Sequence, residues 1–146
     1  MRTAVEKADA VVDKLNCLNA WCKVTVLRLQ SCGLGEGGGR ALAEALRLNS
    51  TLKSLDLYDN GLGEGGGRAL AEALRLNSTL TSLNLGDNGL GEGAGRALAE
   101  ALRLNTSLTS LKLMMISFIF NNNDLREEVQ SALAQAWGDR GGSLEL

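Results

Sequence analysis

The chain repeats itself with a period of 28 residues, and this periodicity constrains the fold more than any other feature of the sequence. The apolar triplets LRL, LDL, LNL and LKL begin at positions 27, 55, 83 and 111. Residues 33–60 and 61–88 are identical at 25 of 28 positions. Periods of about 20 to 50 residues are typical of stacked supersecondary units that bury their apolar faces against one another. The sequence therefore predicts a solenoid built from copies of one unit.

Each unit has the pattern of a strand, a loop and a helix. In TLKSLDLYDNGL, leucines alternate with mostly polar residues, which is typical of a strand with one buried face. The following EGGGRALAEALRLN places Leu70, Ala73 and Leu74 at helical spacing, with charged residues on the opposite side. Stacked units of this kind predict an α/β fold with a parallel sheet on one side and helices on the other.

The pattern LxxLxLxxNxL begins at Leu52 and again at Leu80, and LGxxGxxxLAxxLxxN continues it. This combination resembles the leucine-rich repeat family, from about residue 24 to the C-terminus. The 28-residue period is similar to that of the ribonuclease-inhibitor class, found also in NLR-type immune receptors and Ran GTPase-activating proteins. The resemblance implies a right-handed βα horseshoe with a parallel sheet on the concave face and helices on the convex face.

The string GLGEGG has the glycine spacing of a dinucleotide-binding loop, at Gly33, Gly35 and Gly38. However, it occurs once in each of three units, whereas a nucleotide site needs a single copy. The L-x-L strands also lack the continuous apolar run of a sheet buried on both faces. Glycines at this point suit a tight turn between strand and helix. We interpret the string as scaffold.

Composition argues against several classes of function. With 15 basic and 17 acidic residues the net charge is −2, which gives no electrostatic basis for binding nucleic acid or a membrane. The sequence has no histidine, the commonest general base and zinc ligand. Cys17 and Cys22 alone are an incomplete metal set. We expect no catalytic residues, no metal and no cofactor.

The sequence also favours an intracellular, cytoplasmic protein. The N-terminal residues lack the apolar core of a signal peptide, and no apolar run reaches the roughly 18 residues that span a membrane. Three cysteines are an odd number, so we expect reduced thiols.

Differences between the repeats indicate a candidate binding surface. The second and third units differ only at Lys53 versus Thr81, Asp56 versus Asn84 and Tyr58 versus Gly86. We interpret all three as outward-pointing strand positions, whereas exposed helix positions do not differ between these units. We therefore predict that another protein binds the concave face. The predicted contact residues are Arg28, Gln30, Lys53, Asp56, Tyr58, Asn84, Lys112 and Met114.

The family resemblance also implies a structural ladder. In that family the asparagine after each strand satisfies backbone groups of the neighbouring turn, and cysteine is an accepted variant. The corresponding residues are Cys32, Asn60, Asn88 and Asn123. We expect Cys32 to be structural and largely buried.

The ends of the chain predict caps around the stack. We divide the chain into a capping helix at 1–23, repeats at 24–113, an apolar insertion at 114–120, and a last helix with a C-terminal cap at 121–146. The alignment of the repeats places the last helix at 124–137, and SLEL is a candidate terminal strand.

The insertion MMISFIF is short, β-prone and uncharged, which is typical of an edge-pairing segment. Its candidate interface residues are Met115, Ile116, Phe118, Ile119 and Phe120. Three interpretations stay open: homodimerisation through strand pairing, anchoring of a partner, or packing over the C-terminal core. A fourth is that the insertion is a sequence artefact.

Taken together, these features predict a non-catalytic protein–protein interaction module whose partner protein is unidentified. The alternatives are a small-GTPase activator similar to the Ran activators and a truncated repeat array of an immune receptor.

Overall fold

Five short strands alternate with four helices in the computed structural model, which describes residues 24–113 and 125–146. The predicted N-terminal cap at 1–23 and the apolar insertion at 114–120 lie outside the described residues. In chain order the elements are β1 (Val26–Arg28), α1 (Gly35–Leu48), β2 (Ser54–Asp56), α2 (Gly63–Leu76), β3 (Ser82–Asn84), α3 (Gly91–Leu104), β4 (Ser110–Lys112), α4 (Glu127–Trp137) and β5 (Ser143–Glu145).

The strands form one parallel sheet in the order β1-β2-β3-β4-β5. From β1 to β4, each residue pairs with its counterpart in the next repeat, so that Leu27 lies beside Leu55, Leu55 beside Leu83 and Leu83 beside Leu111. The sequence period thus sets the strand register directly. This is the predicted α/β leucine-rich repeat solenoid.

A core of leucines and alanines lies between the sheet and the helices. On the strand side it contains Leu55 and Leu57, both buried, and on the helix side Leu70, Ala73 and Leu74, all fully buried. Because strand side chains alternate, burial of the leucines leaves Ser54 and Asp56 on the solvent side of β2. We call this solvent side of the strands, with the residues immediately flanking them, the sheet face.

Neighbouring helices approach each other closely at glycines. A Cβ added to Gly67 in α2 would lie 2.7 Å from both the Cβ of Ala94 and Cδ2 of Leu90. Gly37 in α1, by contrast, has nothing within 4 Å of such a Cβ. A methyl group at Gly67 would therefore clash with the neighbouring repeat, whereas a methyl group at Gly37 would contact no other residue in the described ranges.

We expect Gly67→Ala to lower the free energy of unfolding by about 1 to 3 kcal/mol, because α2 and α3 must move apart to admit the methyl group. Gly37→Ala is the matched control and is expected to raise it by about 0.4 to 1 kcal/mol, since alanine restricts the unfolded chain and favours helix. Urea unfolding of both variants measures the difference. Equal effects of the two substitutions would contradict the packing argument.

The helices α1, α2 and α3 begin at glycines with left-handed backbones. Gly35, Gly63 and Gly91 have φ of 64°, 63° and 67°, a conformation that glycine adopts without steric cost. In the last repeat Arg126 stands at this position and adopts φ −70° and ψ 160° instead. The predicted helix at 124–137 is therefore wrong at its start: Leu125 and Arg126 precede α4, which begins at Glu127.

Candidate functional site

One row of side chains crosses all five strands on the sheet face. The strand register places Arg28 beside Asp56, Asp56 beside Asn84 and Asn84 beside Lys112. Beyond Lys112 the row continues to Glu145 on β5. Glu145 is absent from the predicted contact set, although SLEL repeats the SLDL, SLNL and SLKL of the preceding strands and could have placed it in the row.

Asp56 is held by its own neighbours and not by the arginine beside it. The side-chain amide of Gln30 donates a hydrogen bond to Oδ2 of Asp56. The backbone N–H of Tyr58 donates to Oδ1 of the same carboxylate at 3.1 Å. Both carboxylate oxygens thus accept a hydrogen bond within the sheet face, while the neighbouring Arg28 is exposed.

The far end of the row is an ion pair. Nζ of Lys112 lies 2.9 Å from Oε1 of Glu145, and both side chains are about half exposed. An exposed pair of this kind stabilises a fold by about 0 to 1 kcal/mol. Its main effect on the sheet face is to neutralise the charge of Lys112.

The three positions that differ between the second and third units share one backbone arrangement. In the second unit the N–H of Tyr58 donates to Asp56, and in the third the N–H of Gly86 donates to Oδ1 of Asn84, both at 3.1 Å. Lys53 is exposed, whereas Tyr58 is half-buried. The two units therefore present different side chains on the same backbone conformation.

Two asparagines bind neighbouring turns to one another. The side-chain amide of Asn88 donates to the carbonyl oxygens of Leu57 and Leu85 at 2.9 Å and of Gly86 at 3.0 Å. Its Oδ1 accepts from the N–H of Asn60 at 3.1 Å. Asn60 repeats this arrangement one unit earlier, donating to three carbonyl oxygens and accepting from the N–H of Cys32 at 3.0 Å. Asn123 lies outside the described residues.

Cys32 is only half-buried, in contrast to the expected burial and to the buried Asn60 and Asn88. Its thiol lies 3.4 Å from the carbonyl oxygen of Gln30. Leu27 and Leu29 are also only partly buried. Within the described ranges β1 has a strand neighbour on one side only, and this accounts for the exposure of the first unit.

A second series of asparagines, which the sequence interpretation missed, lies at the turns from helix to strand. The amide of Asn77 donates to the carbonyl oxygens of Leu46 and Asn49, both at 2.9 Å. Asn105 repeats this one unit later, at 2.7 Å to Leu74 and 2.9 Å to Asn77. The recurrence of RLN every 28 residues was the signal that could have identified this series.

Arg140 continues the second series at the C-terminal end. Its guanidinium donates to the carbonyl oxygens of Leu102 and Asn105, the groups that another repeat's asparagine would reach. It also donates to Ala136 and Trp137, and its Cζ lies 5.1 Å from the centre of the Trp137 ring.

The remaining predicted contact residues lie outside the described ranges. They are Met114, Met115, Ile116, Phe118, Ile119 and Phe120. Among residues 24–113 and 125–146, no group of three or more histidine, cysteine, aspartate or glutamate side chains is placed to hold a metal ion. In the same ranges no helix has both the length and the apolar character needed to cross a membrane.

Comparison with known proteins agrees with this architecture. The Leucine Rich repeat family model matches residues 22–43, 48–71 and 76–99. With the leucine pattern and the stacked units already described, this match makes the chain a leucine-rich repeat protein. No curated protein matches its sequence.

Two solved structures show how closely the fold is shared. The structure of leiomodin-1 actin-binding site 2 is similar over 100% of this chain and 83% of its own length, with 19% identity and a TM-score of 0.76. The C-terminal domain of tropomodulin from Caenorhabditis elegans covers 91% of this chain and 92% of its own, with 14% identity and a TM-score of 0.54. At these identities the likeness concerns the fold alone.

Proposed function

We propose that this chain is a non-catalytic protein-binding module that presents the sheet face to a partner protein. The observation that carries the proposal is the position of the differences between near-identical repeats. Asp56 lies on this face of β2, and Lys53 and Tyr58 flank the strand on either side; these three residues distinguish the second unit from the third. A rigid solenoid holds these side chains in fixed positions, which reduces the ordering cost of binding.

Exposure alone does not account for where the repeats differ. Leu48, Leu76 and Leu104 are 75%, 63% and 60% exposed, yet the same residue stands at all three positions. The arginines Arg40, Arg68 and Arg96 are likewise exposed and identical. Between the second and third units the differences lie at and beside one strand while exposed helix positions stay the same, which favours a recognition surface.

Tyr58 is the proposed anchor of this surface. It is half-buried, so its ring is partly fixed before binding, and tyrosine is enriched among the residues that dominate interface energies. Arg28, Gln30, Asn84 and Lys112 supply polar groups around it. The fold resemblance to leiomodin-1 actin-binding site 2 makes actin the first purified protein to test as a partner.

The sequence itself supplies the variant that tests this function. Lys53→Thr, Asp56→Asn and Tyr58→Gly together convert the sheet face of the second unit into that of the third, which folds with those residues. We expect the triple variant to keep the helical circular dichroism of the native chain. Its affinity for the partner is expected to fall at least about tenfold, because truncating a contact that dominates an interface typically costs about 2 kcal/mol.

The experiment compares proteins captured by the native chain, the triple variant and a helix-face control, Arg40→Ala with Arg68→Ala and Arg96→Ala. Co-sedimentation with purified actin is measured in parallel. A partner held equally by the native chain and the triple variant, or lost only in the helix-face control, would contradict binding through the sheet face.

Activation of a small GTPase remains an alternative prediction, and neither similar structure favours it. Location in the cytoplasm and self-association through residues 114–120 are likewise proposals.

If the chain self-associates, light scattering of the native protein is expected to give the mass of a dimer. A monomer at high concentration would contradict self-association.

A further inference from the structure

The turns from helix to strand carry the acceptor pattern for N-linked glycosylation. The pattern is Asn-x-Ser or Asn-x-Thr with any residue but proline in the middle. It occurs three times in the chain, as NST at 49–51, NST at 77–79 and NTS at 105–107. An acceptor asparagine is ordinarily exposed on a surface loop, so the environment of these three side chains decides what the pattern means here.

The fold buries all three acceptor side chains. Asn49, Asn77 and Asn105 are each 4% exposed. Oδ1 of Asn77 accepts hydrogen bonds from the backbone N–H groups of Thr79 at 3.0 Å and Leu80 at 2.8 Å. The asparagine of the pattern thus closes the turn that leads into the next strand.

The side-chain nitrogen of each later asparagine already uses both of its hydrogens. In Asn77 they point to the carbonyl oxygens of Leu46 and Asn49, both at 2.9 Å. Asn105 donates in the same way, at 2.7 Å to Leu74 and 2.9 Å to Asn77. These bonds join each turn to the turn of the preceding repeat.

Glycosylation changes this nitrogen directly. The asparagine Nδ2 displaces a lipid pyrophosphate from C1 of an oligosaccharide: an N–C bond forms, the C1–O bond to the pyrophosphate breaks, and one Nδ2 hydrogen leaves as a proton. The modified amide has one hydrogen left, so one of the two carbonyl oxygens loses its partner. The sugar must also occupy a closely packed interior that has no room for it.

We infer that these asparagines accept an N-linked oligosaccharide only while the chain is unfolded, and that a sugar on Asn77 or Asn105 then prevents the repeats from stacking. The folded chain is not an acceptor, because the reacting nitrogen is buried and bonded. The fold is therefore reached only where N-glycosylation does not precede it. This inference is independent of the sheet face and of the proposed partner.

Two variants of the full chain each carry a single acceptor in the same turn. The buried-acceptor variant, Thr51→Ala with Ser107→Ala, leaves the pattern at Asn77 alone. The exposed-acceptor variant adds Leu76→Asn and Thr79→Ala, which remove the pattern at Asn77 and create it one residue earlier. Leu76 is 63% exposed, so a sugar at this position is expected to extend into solvent. Both variants keep every buried asparagine.

Each variant is translated behind a cleavable signal sequence in a cell-free system with microsomal membranes, which supply the lipid-linked donor and the transferase. Glycosylated and unglycosylated chains from one reaction separate on a gel. Their resistance to trypsin is therefore compared band by band, after a mild detergent has opened the membranes. For the buried-acceptor variant, we expect the glycosylated chain to be cleaved at least about tenfold faster than the unglycosylated chain, because cleavage follows the unfolded fraction. For the exposed-acceptor variant we expect equal rates.

Equal trypsin resistance of the two bands of the buried-acceptor variant would overturn the inference, because a folded chain would then carry the sugar. Equal sensitivity of the glycosylated bands of both variants would also overturn it, since the sugar itself and not its burial would then oppose folding. If the membranes glycosylated the exposed-acceptor variant and left the buried-acceptor variant unmodified, the unfolded chain would not be an acceptor at Asn77.

Discussion

Asn88→Ala is expected to lower the free energy of unfolding by about 3 to 5 kcal/mol, a large part of the stability of a domain of this size. Asn88 is 1% exposed, and alanine would remove its three hydrogen bonds to carbonyl oxygens and leave the N–H of Asn60 without the Oδ1 acceptor. A lost hydrogen bond costs about 0.5 to 1.5 kcal/mol and a buried group left unpaired about 1 to 3 kcal/mol, and these costs are not fully additive. Urea unfolding monitored by circular dichroism measures the change.

Asn84→Ala provides the matched control, four residues earlier in the same unit. The side chain of Asn84 accepts one hydrogen bond, from the N–H of Gly86, on the partly exposed sheet face. Its loss is expected to cost less than about 1 kcal/mol. If Asn84→Ala and Asn88→Ala lowered the free energy of unfolding by similar amounts, the hydrogen bonds of Asn88 to adjacent repeats would not dominate its contribution to stability.

The period of the sequence was sufficient to predict the solenoid because near-identical units experience near-identical surroundings. A buried leucine in one unit packs against the same leucine in the next, as the register of Leu55 with Leu83 shows. Strand direction, strand order and the buried helix face all follow from that repetition. They required no knowledge of side-chain conformation.

The charge pairing on the sheet face could not be predicted in the same way. The register places Arg28 next to Asp56, and a sequence argument would pair the opposite charges. The structure instead directs the Gln30 amide to Asp56. The partner of Asp56 depends on which of two flexible side chains, Arg28 or Gln30, reaches the carboxylate. The alternation of polar and apolar residues does not indicate which of them does.

The residues after β4 departed from the repeat for a different reason. Glu145 follows the SLxL pattern and was recoverable by alignment, whereas the capping contacts of Arg140 were not. Arg140 satisfies the carbonyl oxygens that an asparagine satisfies in each repeat, but with different chemistry. Alignment by residue type cannot recognise a substitute that supplies the same donors.

Arg140→Ala is the second substitution with a large expected effect, a loss of about 3 kcal/mol confined mainly to the C-terminal end. Hydrogen bonds from a charged donor contribute about 1.5 to 3 kcal/mol each, and the guanidinium reaches Asn105 at 2.7 Å and Trp137 at 2.9 Å. In a solenoid each unit is stabilised chiefly by its neighbours, so the loss is expected to open α4 and β5 before the central repeats. Native-state hydrogen exchange measures that local opening.

Arg68→Ala separates this capping role from the general effect of removing an exposed arginine. Arg68 is 62% exposed and lies 3.6 Å from the half-exposed Glu64, a surface contact whose loss is expected to cost less than about 1 kcal/mol. Arg140→Lys keeps the positive charge but not the forked geometry that reaches several carbonyl oxygens at once, so it is expected to recover less than half of the lost protection. Full recovery by lysine would mean that charge near the end of α4, and not the replacement of the asparagine donors, stabilises the C-terminal cap.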